Sequence, residues 1–312
     1  MTDRDKIIAI LRRSIDIKIP DIISWIIGIK PVIYAEQDDD LILFLHSLFP
    51  TLKSIKVSAA EAHRPASVML LSKNRDSLTK SVLYLKNSEN SGNSELGRLL
   101  GYPDCCIKAH QETFLHQPTE ERESVSTFNA AKRSIKTSFL LNNLLSFVTR
   151  FNDPNLIDMF INYHKTNGEE LCPIIDNQPM STIDISFISH IPCRYDCEAS
   201  LVIARQVDDW LSNNIPELRK FMKNKLARPF LIFDTLNWLA FDGLIEDNCL
   251  KYNKILSPFA PIKTEAVDYI KKGDKLLIDD DQIIISKGNN KLFVYKKMSI
   301  NDGYLIDFSN DE

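Results

Sequence analysis

Four of the six cysteines in this 312-residue chain fall in two short blocks, "GRLLGYPDCCIKAH" at 97–110 and "SHIPCRYDCEAS" at 189–200. Thiolates are both nucleophiles and metal ligands, so paired cysteines can hold a metal, carry a cluster or cycle through a disulfide. In the first block Pro103 suits a helix start, where its missing N–H costs nothing. That puts Cys105 and Cys106 in the first turn, with His110 one turn beyond Cys106 on the same face. In the second block Pro192 is expected to open another helix, with Cys193 in its first turn and Cys197 at i+4. Leu201, Ala204, Val207 and Leu211 continue that face opposite Arg205, Asp208 and Asp209, which turns both thiols inward.

If the two helix starts face each other, Cys105, Cys106, Cys193 and Cys197 form one thiolate site, with His110 and His190 as further ligands. Cys106, His110, Cys193 and Cys197 would satisfy tetrahedral zinc as two i,i+4 pairs. An iron–sulfur cluster holds its cysteines on different irons, which makes the neighbours Cys105 and Cys106 more acceptable as joint ligands, and this favours a cluster over zinc. Cys105 is rotated about 100° around its helix from Cys106. It is therefore the odd member or the reactive one, and it is the candidate catalytic thiol beside His190, a candidate for proton transfer. The remaining cysteines, Cys172 and Cys249, read as packing residues.

The spacing Cys193-x3-Cys197-x2-Ser200 invites comparison with the C-x3-C-x2-C loop of radical S-adenosylmethionine enzymes. Ser200 stands where the third cysteine belongs and the motif falls late in the chain, so that family is set aside. The blocks "LGRLLGYPDCC" and "HIPCRYDCEAS", and more loosely "SVMLLSKNRDSL", resemble a mainly archaeal domain-of-unknown-function family, number four-eight-three. The likeness covers about residues 65–205. It implies a shared cysteine site and no particular activity.

Other chemistries find little support. There is no Gly-rich phosphate loop of either common type and no G-x-S-x-G elbow. With 38 basic against 42 acidic residues, the net charge of -4 provides no general attraction for nucleic acid. The start of the chain lacks the pattern of a secretory signal, and its most apolar run, "IPDIISWIIGIKPVIY", is broken by Asp21, Lys30 and Pro31. A cytoplasmic protein without a membrane span is expected, in a compartment where cysteines stay reduced.

The elements that must position the cysteines read as an α+β fold. A small α/β part is expected over 1–90, with strands at 31–36, 54–59 and 67–72 between helical patterns. A polar connector at 86–95 leads to a mainly helical part over 96–250 that carries the cysteines, including helical patterns at 138–151 and 154–164. A small antiparallel sheet closes the chain over 251–312, with a hairpin at "KGNN". The leading functional expectation is a metal-thiolate enzyme, iron–sulfur favoured, acting on a small molecule in redox or sulfur-transfer chemistry. Its alternatives are a noncatalytic protein with a structural Cys/His zinc site that binds a partner, and a metal-free dithiol redox enzyme.

Overall fold

The computed structural model describes residues 1–13, 18–36, 39–62, 67–87, 94–116, 122–144, 172–180, 186–234, 237–259 and 263–309. Much of the polar connector at 86–95, the later part of the 138–151 pattern and all of the 154–164 pattern lie outside these residues. The fold is α+β, as the sequence pattern implies.

The first third begins with α1 (Asp3–Arg13) and α2 (Ile19–Ile26), followed by β1 (Ile33–Glu36), α3 (Asp39–Leu48), β2 (Lys53–Val57), α4 (Ala59–Ala62), β3 (Val68–Ser72) and α5 (Arg75–Lys86). The strand order is β1-β3-β2, with β3 antiparallel to both neighbours. β1 and β2 therefore run the same way, as a crossover through α3 requires, and β3 inserts between them. All five residues of β3 are buried, as expected of a central strand covered on both faces. Asn74 caps α5, its side-chain oxygen accepting from the N–H groups of Asp76 and Ser77.

The middle of the chain contributes α6 (Ser94–Leu99), α7 (Asp104–His116), α8 (Arg122–Arg133), the short hairpin β4 (Ile174–Ile175) and β5 (Gln178–Pro179), α9 (Glu198–Asn214) and α10 (Pro216–Leu226). The expected stripe on α9 is buried at Leu201, Ala204, Val207 and Leu211. It joins a core that also takes in α1, α2, Ile33 and Leu71 of the first sheet, and Phe230, Trp238 and Ile306 of the last one.

The closing sheet is larger than the segment expected over 251–312. Its strands are β6 (Pro229–Asp234), β7 (Asn237–Glu246), β8 (Cys249–Phe259), β9 (Lys275–Ile278), β10 (Gln282–Lys287), β11 (Asn290–Lys296) and β12 (Tyr304–Asp307), with α11 (Thr264–Lys272) between β8 and β9. They run β11-β10-β9-β8-β7-β6-β12, every pair antiparallel. Five strand spacings separate β6 from β11, about 24 Å in a flat sheet. Yet the rings of Phe233 on β6 and Tyr295 on β11 lie 5.5 Å apart. The sheet is rolled nearly into a barrel, and only seven residues, 297–303, carry the chain from one edge to the other. Leu231, Phe241, Leu250, Leu276, Ile283 and Ile285 fill its interior together with Val267 and Ile270 of α11. Among the described residues no helix is long and apolar enough to cross a membrane.

Candidate metal centre

Two glycines set the approach to the first cysteine block. Gly101 has φ +73°, a left-handed turn that a side chain resists, and it lies against Lys30. At Gly97 a Cβ would come 2.9 Å from Ile107, so the missing side chain lets α6 pack closely on α7. Pro103 then precedes α7, and its carbonyl accepts from the N–H groups of Cys106 and Ile107. Cys105 and Cys106 stand in the first turn as expected; Cys105 is exposed and Cys106 is 3% exposed.

The second block departs from expectation. Pro192 does not begin a helix: Cys193 lies in an irregular loop, and Cys197 takes the extended N-cap position before α9 without a side-chain cap bond. The pull on the loop comes from its middle. Tyr195 is fully buried against the ring of Phe308 and its N–H donates to Ser134 Oγ at 2.7 Å. Asp196 pairs with Arg194 and accepts from the N–H groups of Ile135 and Lys136. A turn then closes from Cys197 N–H to the Arg194 carbonyl at 3.1 Å. Burying an aromatic ring and satisfying a carboxylate outweigh one turn of helix, and the loop still delivers both sulfurs to the same place.

The structure brings together Cys105, Cys106, Cys193 and Cys197, whose sulfurs all lie within 4.8 Å of one another. Three separations are 3.6 Å (Cys105–Cys197), 3.8 Å (Cys106–Cys197) and 3.9 Å (Cys105–Cys106). The group could hold a metal ion. His110, Cys172 and Cys249 are not members of this group. His110 is exposed and lines a narrow cleft beside Cys106 and Cys193, across from Ser126 and Arg133 of α8.

His190 is not a member either, but it supports one. Its ring nitrogen Nε2 lies 2.9 Å from Ser200 Oγ, which is 3.2 Å from Cys106 Sγ. The Cys193 N–H donates to the same sulfur at 3.3 Å. Behind His190 stands Tyr102, with ring centroids 5.1 Å apart, and over Tyr102 lies the ammonium of Lys30 at 4.7 Å. Lys30 is itself buried, pairs with Asp21 and donates to Ser189 Oγ at 2.7 Å. The position of Ser200 in the C-x3-C-x2-S spacing was a visible signal. Tyr102 belongs to the first cysteine block, but nothing in the sequence ties Lys30 or Asp21 to the site, since they approach from another part of the chain.

Without an ion the sulfurs of Cys106, Cys193 and Cys197 do not all ionise together. Hydrogen bonds from Cys106 and Cys193 hold the Cys197 thiol well below its ordinary value. Cys106 is pushed far up by its bonds with Cys193 and Cys197 and by burial. Contact with Cys106 pulls the Cys193 thiol down, but the bond with Cys197 and burial win and push it up to about 12. One thiolate forms readily and its neighbours resist a second negative charge, a conflict that a bound cation relieves. No family model, curated protein or solved structure matches the chain.

Proposed function

We propose that the chain is a zinc-thiolate protein in which a single ion, held by Cys105, Cys106, Cys193 and Cys197, fastens the start of α7 to the loop before α9. The supporting observation is the spacing of the sulfurs. Zinc–sulfur bonds of 2.3 Å in a tetrahedron place their sulfurs about 3.8 Å apart; the separations among Cys105, Cys106 and Cys197 are 3.6, 3.8 and 3.9 Å, and Cys193 lies within 4.8 Å of each. An iron–sulfur cluster needs its cysteines on different irons, and hence further apart than one ion's ligands. The geometry thus favours the alternative of a structural site over the cluster that adjacent cysteines suggested.

Four thiolates fill a tetrahedron and leave no open position for substrate, which is the arrangement of a structural zinc. On this reading the metal supplies stability and the chain works by binding a partner, in a compartment reducing enough to keep the thiols free. The likeness to family number four-eight-three belongs to the same proposal, since each of its two blocks supplies two ligands.

The test is metal and acid-labile sulfide content of protein purified without oxygen, with an absorption spectrum. One zinc per chain and no visible colour is the expected result, lost when Cys106 or Cys193 is replaced by Ser. Brown protein with iron and sulfide would overturn the single-ion reading, and metal-free protein that folds equally well would remove the site.

A further inference from the structure

The four sulfurs are not equivalent. Cys106 and Cys197 are 3% and 7% exposed and Cys193 is half-buried, whereas Cys105 faces solvent. The Cys106 sulfur also takes a hydrogen bond from the Cys193 N–H and, as a metal-bound thiolate, would take one from the Ser200 hydroxyl 3.2 Å away. Such bonds draw charge from a thiolate and blunt it as a nucleophile. Among the described residues, the partners of Cys105 at the site are other cysteine sulfurs, Cys197 at 3.6 Å and Cys106 at 3.9 Å.

We propose that Cys105 is a site of oxidative modification by hydrogen peroxide, and that the oxidised sulfur closes a disulfide with Cys197 and releases the metal. The proposal rests on the single-ion reading. In the first step the metal-bound Cys105 thiolate attacks one peroxide oxygen: an S–O bond forms, the O–O bond breaks and hydroxide leaves. The sulfenic acid so formed is a poor ligand. In the second step the Cys197 thiolate attacks the Cys105 sulfur: the S–S bond forms, the S–O bond breaks and a second hydroxide leaves. Two thiolates have lost one electron each, one peroxide has been reduced to two hydroxides, and zinc keeps its charge throughout. Only two thiolates then remain for the ion.

Geometry selects Cys197 as the resolving partner. Consecutive Cα atoms lie 3.80 Å apart across a trans peptide, short of the 4.4–6.8 Å that most disulfides span, so bridging Cys105 to Cys106 would strain the helix. Cys197 comes from another element and has the nearest sulfur of those measured, at 3.6 Å. It also stands at the N-cap position of α9, where its backbone is extended and not locked inside the helix.

The experiment uses the full zinc-loaded chain and one equivalent of hydrogen peroxide. Zinc release is followed with a coloured chelator and the cysteine products are mapped by peptide mass spectrometry. The expected result is zinc release in step with a Cys105–Cys197 bridge, reversed by dithiothreitol and added zinc. A trap for sulfenic acid added with the peroxide should label Cys105 ahead of the other three. A Cys105→His variant, which keeps a ligand but removes the thiol, should release zinc at least tenfold more slowly. If that variant does not hold zinc, the trapping result on the unaltered protein decides. Zinc-loaded protein that keeps its metal, or that is labelled first at Cys106, Cys193 or Cys197, overturns this proposal and leaves the zinc reading standing. Protein that carries no zinc before peroxide is added overturns both.

Discussion

The cysteine junction and the rolled sheet are held together by different physics. The sheet closes on an interior of Leu231, Phe241, Leu250, Ile283 and Ile285, apolar side chains that need no ligand. The junction gathers four sulfurs, a buried Ser200, His190 and the Lys30–Asp21 pair, groups that cost free energy to bury until each has its partner. One region is stable because of what it excludes. On the zinc reading the other depends on what it binds, and its stability is then conditional on metal, pH and redox state.

On the zinc reading, removing the metal separates the two regions most sharply. Structural zinc contributes about 10–16 kcal/mol to small zinc-finger peptides, and the largest effect is expected here. Chelation, or Cys197→Ser, should raise amide exchange over α7 and residues 193–197 while β7 to β10 stay protected. Hydrogen exchange with mass detection reads both regions at once. Loss of protection in the sheet as well would break the comparison, because the common core would then be passing the damage on.

The converse test attacks the sheet. Phe241 is fully buried in its interior, and Phe241→Ala should cost about 3–5 kcal/mol in urea unfolding. The metal content should not change. A variant that loses zinc in proportion to stability would show that the sheet holds the junction in place.

Next in size is the buried ion pair. Breaking a buried pair by removing one member costs about 3–5 kcal/mol, and Lys30→Met is expected near the lower end because Lys18 also acts on Asp21. Burial alone would raise the Asp21 carboxyl, but the charges of Lys30 and Lys18 outweigh it and hold the group below the usual range. Its folded value is thus below the unfolded one of about 3.9. The pair's stabilisation is complete above that pH and is lost as pH falls through the folded value. Acid titration of the Lys30→Met variant should show a shallower loss of stability than the unaltered chain over this window.

How much of this could be read from the sequence differs between the same two regions. The hairpin of β10 and β11 was legible because Gly288, at φ +56°, supplies a turn conformation between two strand patterns. Strands β6 and β7 were not, since Phe230 and Trp238 face the helical core while Leu231 and Leu239 face the barrel interior. Burial on both faces removes the alternation that marks a strand. The rolling of the sheet has no local signal at all. At the junction, residue type and spacing picked out the four sulfurs, and Pro103 announced α7. Pro192 misled because the burial of Tyr195 and the bonds of Asp196 are tertiary, and His110 misled because helical spacing fixes a face without saying what that face meets.

Ser200 gives the smallest effect and the finest distinction. Its hydroxyl is fully buried between His190 Nε2 at 2.9 Å and Cys106 Sγ at 3.2 Å. With Cys106 ionised, the hydroxyl donates to the thiolate and accepts from the ring N–H. Ser200→Ala removes both bonds, at a cost of about 1 kcal/mol each. If the hydroxyl acts on the ligand, the cost falls mainly on the metal-bound state, and zinc affinity drops about 10-fold or more while the metal-free chain changes little. A competition titration with a zinc chelator measures the first quantity and urea unfolding of the metal-free chain the second. Equal losses in both states would mean that Ser200 only fills space between His190 and α7. The polar groups of the junction would then be stabilised by packing, as the interior of the sheet is, and the contrast between the two regions would narrow to the four sulfurs alone.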